Sequence, residues 1–225
     1  RTVFCFFFVS LHKNSLQIGK MAEINQYRQE LRDKIIAYAM AEFFKRGVKA
    51  VKMDEISQGL HVSKRTVYEI FGDKEEMLLA GMKSQQEETR VKLAEFARSK
   101  AKNVIDIIGY VYRLQMEQNE KVGVVFFEEI HKMPRVLKYL QECHAHEREE
   151  SVRFFEAGVK EGLFRQDVDF KVIMDVGHII MQEIMHRQLY RQHSMQSLYD
   201  NYILVIIRGF CTERGLEMLD KALKG

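Results

Sequence analysis

Two stretches of the chain carry side chains whose types and spacing could do chemistry. The first is Ser63-Lys64-Arg65-Thr66-Val67-Tyr68. It places two cations, a hydroxyl and a phenol at or near the start of a short helix. Such donors fit guanine edges and phosphate oxygens, and that end of a short helix enters a DNA major groove first. Lys52 lies upstream and Lys74 downstream, where a new helix starts. The second stretch is Glu142-Cys143-His144-Ala145-His146, which contains metal-ligand types. Glu142 and His146 fall one helical turn apart, but His144 and His146 face different sides and no second pair at ligand spacing stands nearby. The following HEREE run lacks the H-E-x-x-H spacing of zinc proteases, and there is no glycine-rich phosphate loop or nucleophile elbow. A helical metal-dependent hydrolase using Glu142, His144 and His146 is therefore the competing reading, beside a solvated helix face. No bound metal or cofactor is expected.

The groove-facing residues need a scaffold, and the sequence around them supplies one. Met53, Ile56 and Leu60 share one face of a short helix over 53–60, with Asp54 and Glu55 in its first turn, where the helix dipole favours anions. His61-Val62-Ser63 forms a turn, and Ser63 is an N-cap for a helix over 64–70 that points Val67, Ile70 and Phe71 inward. Ahead of this pair, Ile35, Ile36, Ala39, Met40 and Phe43 give helical periodicity over 26–46, stopped at Gly47. After it, Asp73 and Glu76 form a capping pair, so a long helix runs from Lys74 to about Ser99.

Over residues 35–78 this arrangement resembles the DNA-binding domain of the TetR family of bacterial transcriptional repressors. The resemblance rests on Ala39 and Phe43, Arg46-Gly47, Ile56-Ser57, Val62-Ser63-Lys64, Thr66-Val67-Tyr68, Phe71, Lys74 and Glu75-Glu76-Met77-Leu78. The family usually has glycine where this chain has His61, at a turn position of positive φ, which histidine tolerates with strain and Gly59 could ease. It often has threonine or serine before the first short helix, where Val51-Lys52 stands here. The resemblance implies a ligand-responsive regulator, most often a repressor, and not an enzyme. By it, Ser63 caps the reading helix, Lys64 or Arg65 reads guanine, Thr66 meets a base or phosphate, and Tyr68, Lys74 and Lys52 fasten the phosphate backbone.

Bulk properties agree with that reading. The 225 residues include one proline, Pro134, and 46% hydrophobic residues. No alternating β-branched run argues for a sheet, so the expected fold is all-α. It comprises an N-terminal three-helix helix-turn-helix domain over 21–80 and a larger C-terminal helical effector and dimerisation domain over 81–225. Net charge is only +3, yet six basic residues face two acidic ones between Lys45 and Arg65, a local +4. A focused patch on a near-neutral chain suits a site-specific binder. Three scattered cysteines are not a disulfide framework, and they point to a reducing cytoplasm; no apolar run reaches the roughly 20 residues of a membrane span. Residues 1–20 lack an initiating methionine, precede Met21, and read as a leader foreign to the native protein or as a flexible tail.

Beyond residue 100, helices are expected at 103–119, 122–132, 135–161, 169–191 and 196–214. The last two are apolar over unusually wide faces, so a homodimer through them is expected, setting two reading helices on a palindromic operator. An apolar effector is expected among Tyr110, Leu114, Phe127, Phe155, Met174, His178 and Met181, which project from four helices, with Tyr110 and His178 as polar handles. A filled core is the competing reading of the same residues.

Overall fold

The computed structural model describes residues 22–224, with the side chains of 26–143 and 148–224. The expectation for residues 1–20 lies outside them. Among the described residues there are helices and no strand; one isolated backbone bridge joins Phe164 to Cys211.

The head consists of α1 (Ala22–Arg46), α2 (Met53–Gly59) and α3 (Lys64–Ile70). α1 ends because Gly47 turns left-handed at φ 82, and its N–H closes the last turn on the Phe43 carbonyl at 2.9 Å. Ile35, Ala39, Phe43, Val51, Ile56, Val67 and Phe71 are essentially inaccessible and form the head's core. α4 (Lys74–Ser99) leaves the head and enters the body. It starts as the capping pair predicts: Asp73 accepts from the Glu76 N–H at 2.7 Å, and Glu76 accepts from the Gly72 N–H at 2.9 Å.

The body contains α5 (Val104–Asn119), α6 (Val124–Ile130), α7 (Pro134–Lys160) and α8 (Phe170–His186). Pro134 occupies the first turn of α7, where its missing N–H costs nothing. Asn103 and Asp169 cap α5 and α8 through their side chains. The expected helix over 169–191 is shorter, because Gln188 turns left-handed at φ 55 and the chain continues as a single 3-10 turn, Leu189–Arg191.

The expected helix over 196–214 is three pieces: α9 (Met195–Leu198), a π-turn (Tyr199–Ile203) and α10 (Leu204–Phe210). It stops at Cys211, which is extended, and α11 (Glu213–Lys224), which the sequence reading does not foresee, follows. Thr212 caps α11 by accepting from the Gly215 N–H at 3.1 Å. α11 packs along α5 so closely that a Cβ on Gly109 would strike the Ala222 backbone carbonyl, and Arg113 donates to that same carbonyl at 2.8 Å. The two helices predicted as the dimerisation pair are thus α8 and α9–α10, and the chain ends one helix later.

Candidate nucleic-acid interface

α3 buries Val67 and turns its other face outward. Lys64, Arg65 and Tyr68 are exposed there, Tyr68 at 46%. Ser63 caps the helix, accepting from the Thr66 N–H at 3.0 Å, while its hydroxyl pairs with that of Thr66 at 2.7 Å. Thr66 is thereby half-buried and held in one orientation. Arg28 of α1 donates to the Glu69 carbonyl at 3.3 Å, and Arg32 lies over the Phe71 ring at 5.2 Å, so the C-terminal end of α3 is braced by α1.

The two cations of α3 are not bare. Lys64 pairs with Asp54 at 2.7 Å and Arg65 with Glu69 at 2.7 Å, both open to solvent. Hydrogen bonding to Asp54, then its charge, raises the Lys64 pKa; Glu69 does the same for Arg65. Exposed pairs of this kind are weak and screened by salt, so a phosphate or base edge can replace the carboxylate.

The turn before α3 shows the two departures from the family pattern at work. His61 stands at φ 54, the left-handed conformation that glycine adopts freely. Gly59 does not ease that turn; its missing side chain lets the Tyr38 ring of α1 lie against the backbone of α2. Lys52 occupies the cap position of α2 without capping it through its side chain, and stays exposed.

Lys74 is placed differently from the other cations. Its ammonium donates to the carbonyls of Val48 at 2.7 Å, Lys49 at 3.1 Å and Val51 at 2.8 Å. All three donor positions thus hold the loop between α1 and α2. Burial lowers its pKa, against the pull of Glu129 and Glu55.

Several contacts that shape this interface are not foreseen from the sequence. Arg46 clamps α2 through Glu55 at 2.6 Å. Glu129 of α6 accepts from the Lys49 N–H at 2.8 Å, and Arg135 bridges Asp73 at 2.6 Å and Glu75 at 3.1 Å. Glu129 and Arg135 lie 60–80 residues from their partners, and no local pattern announces them.

The seven expected effector residues stand on α5, α6, α7 and α8. Phe155 lies in a ring cluster with Phe164, Phe170 and Phe210 at centroid distances of 5.1–5.8 Å, packed as filled core. Tyr110 stacks on Phe96 at 4.1 Å. Met174 and Met181 are buried on α8, and His178 meets Gln182 one turn on. Leu114 is half-buried on α5. Phe127 alone of the seven lines the cavity between head and body. Among the described residues no group of three His, Cys, Asp or Glu could hold a metal. Glu142 is exposed beside Lys138, and the side chains of His144 and His146 lie outside the described residues.

Residues 35–80 match the model of a family described as bacterial regulatory proteins, tetR family. Over this stretch the chain is similar to the N-terminal, DNA-binding region of that family. The match falls on the helix-turn-helix segment and lends no support to the hydrolase reading of Glu142, His144 and His146. The fold agrees with a transcriptional regulator, TetR family, from Agrobacterium tumefaciens (TM-score 0.63, 12% identity, 82% of this chain and 100% of that one). It agrees also with the TetR family protein CprB from S. coelicolor A3(2) (0.59, 19%, 88% and 97%). A third is the ketosteroid transcriptional regulator KstR2 of Mycobacterium tuberculosis (0.51, 20%, 88% and 98%). No curated protein sequence matches the chain. Among the described residues no helix is long and apolar enough to cross a membrane.

Proposed function

We propose that this chain is a regulator of the TetR family, a homodimeric cytoplasmic repressor that reads a palindromic operator and leaves it when a small, largely apolar effector binds. The observation that carries the reading of DNA is the outward face of α3. Lys64, Arg65 and Tyr68 project from a helix whose opposite face is locked into the head by Val67, while Ser63 and α1 fix its pose. Lys64 and Arg65 read base edges and Thr66 a base or phosphate; Tyr68 and Lys52 hold phosphates. Lys74 contributes by holding the 48–51 loop, which carries Lys52's neighbours to the DNA.

Support for the homodimer comes from an uncovered apolar stripe. Val172, Val176 and Ile179 succeed one another at helical spacing on α8, each about half exposed, and Val205 of α10 is 58% exposed. A second copy covers both, as an isologous C2 interface does. Support for an effector comes from proteins of the same fold. A Saccharomonospora viridis protein was solved in complex with choline, and another is a gamma-butyrolactone receptor. The seven residues from Tyr110 to Met181 stay candidates for effector contact only if the packed body opens.

Selection of duplexes from a random pool, followed by footprinting, tests the reading of DNA. The expected result is an inverted repeat with half-sites about 34–36 Å apart, or a multiple of it. A uniform ladder of protection on any sequence would overturn it.

A further inference from the structure

Between head and body runs a crevice to which DNA reading and dimerisation give no role. Its inner end is a narrow, partly open cavity of about 30 Å³, room for roughly two water molecules. Met40 and Phe44 of α1 form one wall, Met82 of α4 another, and Phe126 and Phe127 of α6 the third. The polar surface consists of four carboxamides, Gln85, Gln115, Gln118 and Asn119, and no charged side chain or hydroxyl lines it. Gln115 donates to the Asn119 Oδ1 at 2.9 Å, which leaves Asn119 Nδ2 buried without an acceptor. A buried donor left unpaired is costly and uncommon. Outward, the crevice widens into a groove of about 550 Å³ between α1, α4 and the 120–121 turn. The groove shares Met40, Phe44 and Gln85 with the inner cavity, and carboxylates and ammonium groups mix on its rim.

We infer that this crevice is an effector site for a neutral, mainly apolar molecule bearing a carbonyl oxygen, such as a ketone, ester, lactone or amide, and that filling it prises the DNA-binding head from the body. The carbonyl accepts from Asn119 Nδ2, and the apolar part lies against the two methionines and the phenylalanine rings. An anion finds no counter-charge at the inner end. The inner cavity is too small for such a molecule, so the ligand binds only a form in which α1 has moved away from α6. Linkage then requires that ligand to shift the population toward the open form. The contacts that must part on opening include the edge-on packing of Phe44 on Phe126 at 4.9 Å, the Gly123 N–H bond to the Phe44 carbonyl at 2.8 Å, and the Lys49 N–H bond to Glu129 at 2.8 Å. The fulcrum is Gly81, where the absent side chain lets α4 press directly against Met40.

The consequence for DNA rests on the function proposed above; occupancy of the crevice does not. The test uses the full chain with methyl-labelled methionine, titrated with 2-decanone and, separately, with decanoate. The ketone is expected to shift the Met40 and Met82 methyl signals saturably and to leave those of Met174 and Met181 in place. Shifts confined to Met174 and Met181, or no saturable shift up to the ketone's solubility, would overturn the site. Equal binding of decanoate would overturn the requirement for a neutral ligand. Asn119→Leu removes the donor and should weaken ketone binding about tenfold, whereas unchanged binding sinks the role given to Asn119. Saturating ketone should weaken binding to a selected duplex at least about tenfold; ketone-filled protein that holds the duplex as before refutes the coupling. If no duplex is ever selected, the DNA reading fails while the methionine spectra still decide the site.

Discussion

Arg65 and Lys74 are both cations of the head, yet their surroundings assign them different work. The Arg65 side chain is 88% exposed and tied only to Glu69, so Arg65→Ala removes a reader without disturbing the fold. Operator affinity should fall roughly 10- to 100-fold and preference at one base pair should relax, with the melting temperature unchanged. Lys74→Ala leaves the carbonyls of Val48 and Val51 without their donor at two buried residues. That costs about 1–3 kcal/mol of stability, and affinity drops alike on specific and random duplexes. Melting curves and competition gel shifts on the two variants separate these outcomes; a Lys74→Ala protein that melts like its parent contradicts the structural role. At this scale the sequence was informative wherever the signal is local. Ser63, Asp73 and Asn103 or Asp169 declare helix starts within three residues of themselves, and His61 marks the left-handed turn. Lys74 was readable as a cation at a helix start, but its three carbonyls lie 23–26 residues back and only the folded head brings them near.

Element by element, the helices from α1 to α7 lie close to where their periodicity puts them, because capping residues and Pro134 punctuate the chain. α11 was missed for a definite reason. The apolar run over 202–207 drew attention to itself, and a continuous helix was extended through Cys211 into what is a separate element. Its own signals were present: Thr212 as a cap, then Leu216, Leu219 and Leu223 at helical spacing. α11 seals α5 at a point where no side chain fits between Gly109 and Ala222. Gly109→Val should therefore force the two helices apart, costing ~1–3 kcal/mol and lowering the melting temperature by roughly 3–10 °C. DNA contacts, remote from this seam, should keep their sequence preference in footprints of the folded variant. A Gly109→Val protein as stable as the parent would mean α11 is not seated on α5 in solution.

For the whole molecule, the exposed stripe on α8 separates protomer stability from assembly. Ile179 is 59% exposed in the single chain, so Ile179→Glu leaves each protomer folded while burying a charge wherever a second copy covers α8. Sedimentation should show the parent as a dimer and the variant as a folded monomer with weakened operator binding; a variant that still sediments as a dimer places the contact elsewhere. This is a cleaner choice than Ile206 of α10, which is already half-buried within its own chain. The effector set was the least legible part of the sequence: aromatic and thioether residues look the same whether they line a void or fill one, and Phe155 fills one. A different kind of information sits in the π-turn Tyr199–Ile203. Such a turn holds one residue more than an α-helical turn in the same length of axis. Winding the same residues as a regular α-helix would rotate everything after them by about 100°, carrying Val205 away from the face it now occupies. Which side chains residues 204–210 offer to a neighbour is therefore settled by arithmetic, not by composition. Two descendants of one ancestral chain that differ by a single codon there could both present Val205 to the same neighbour, one through a widened turn and the other through a plain helix.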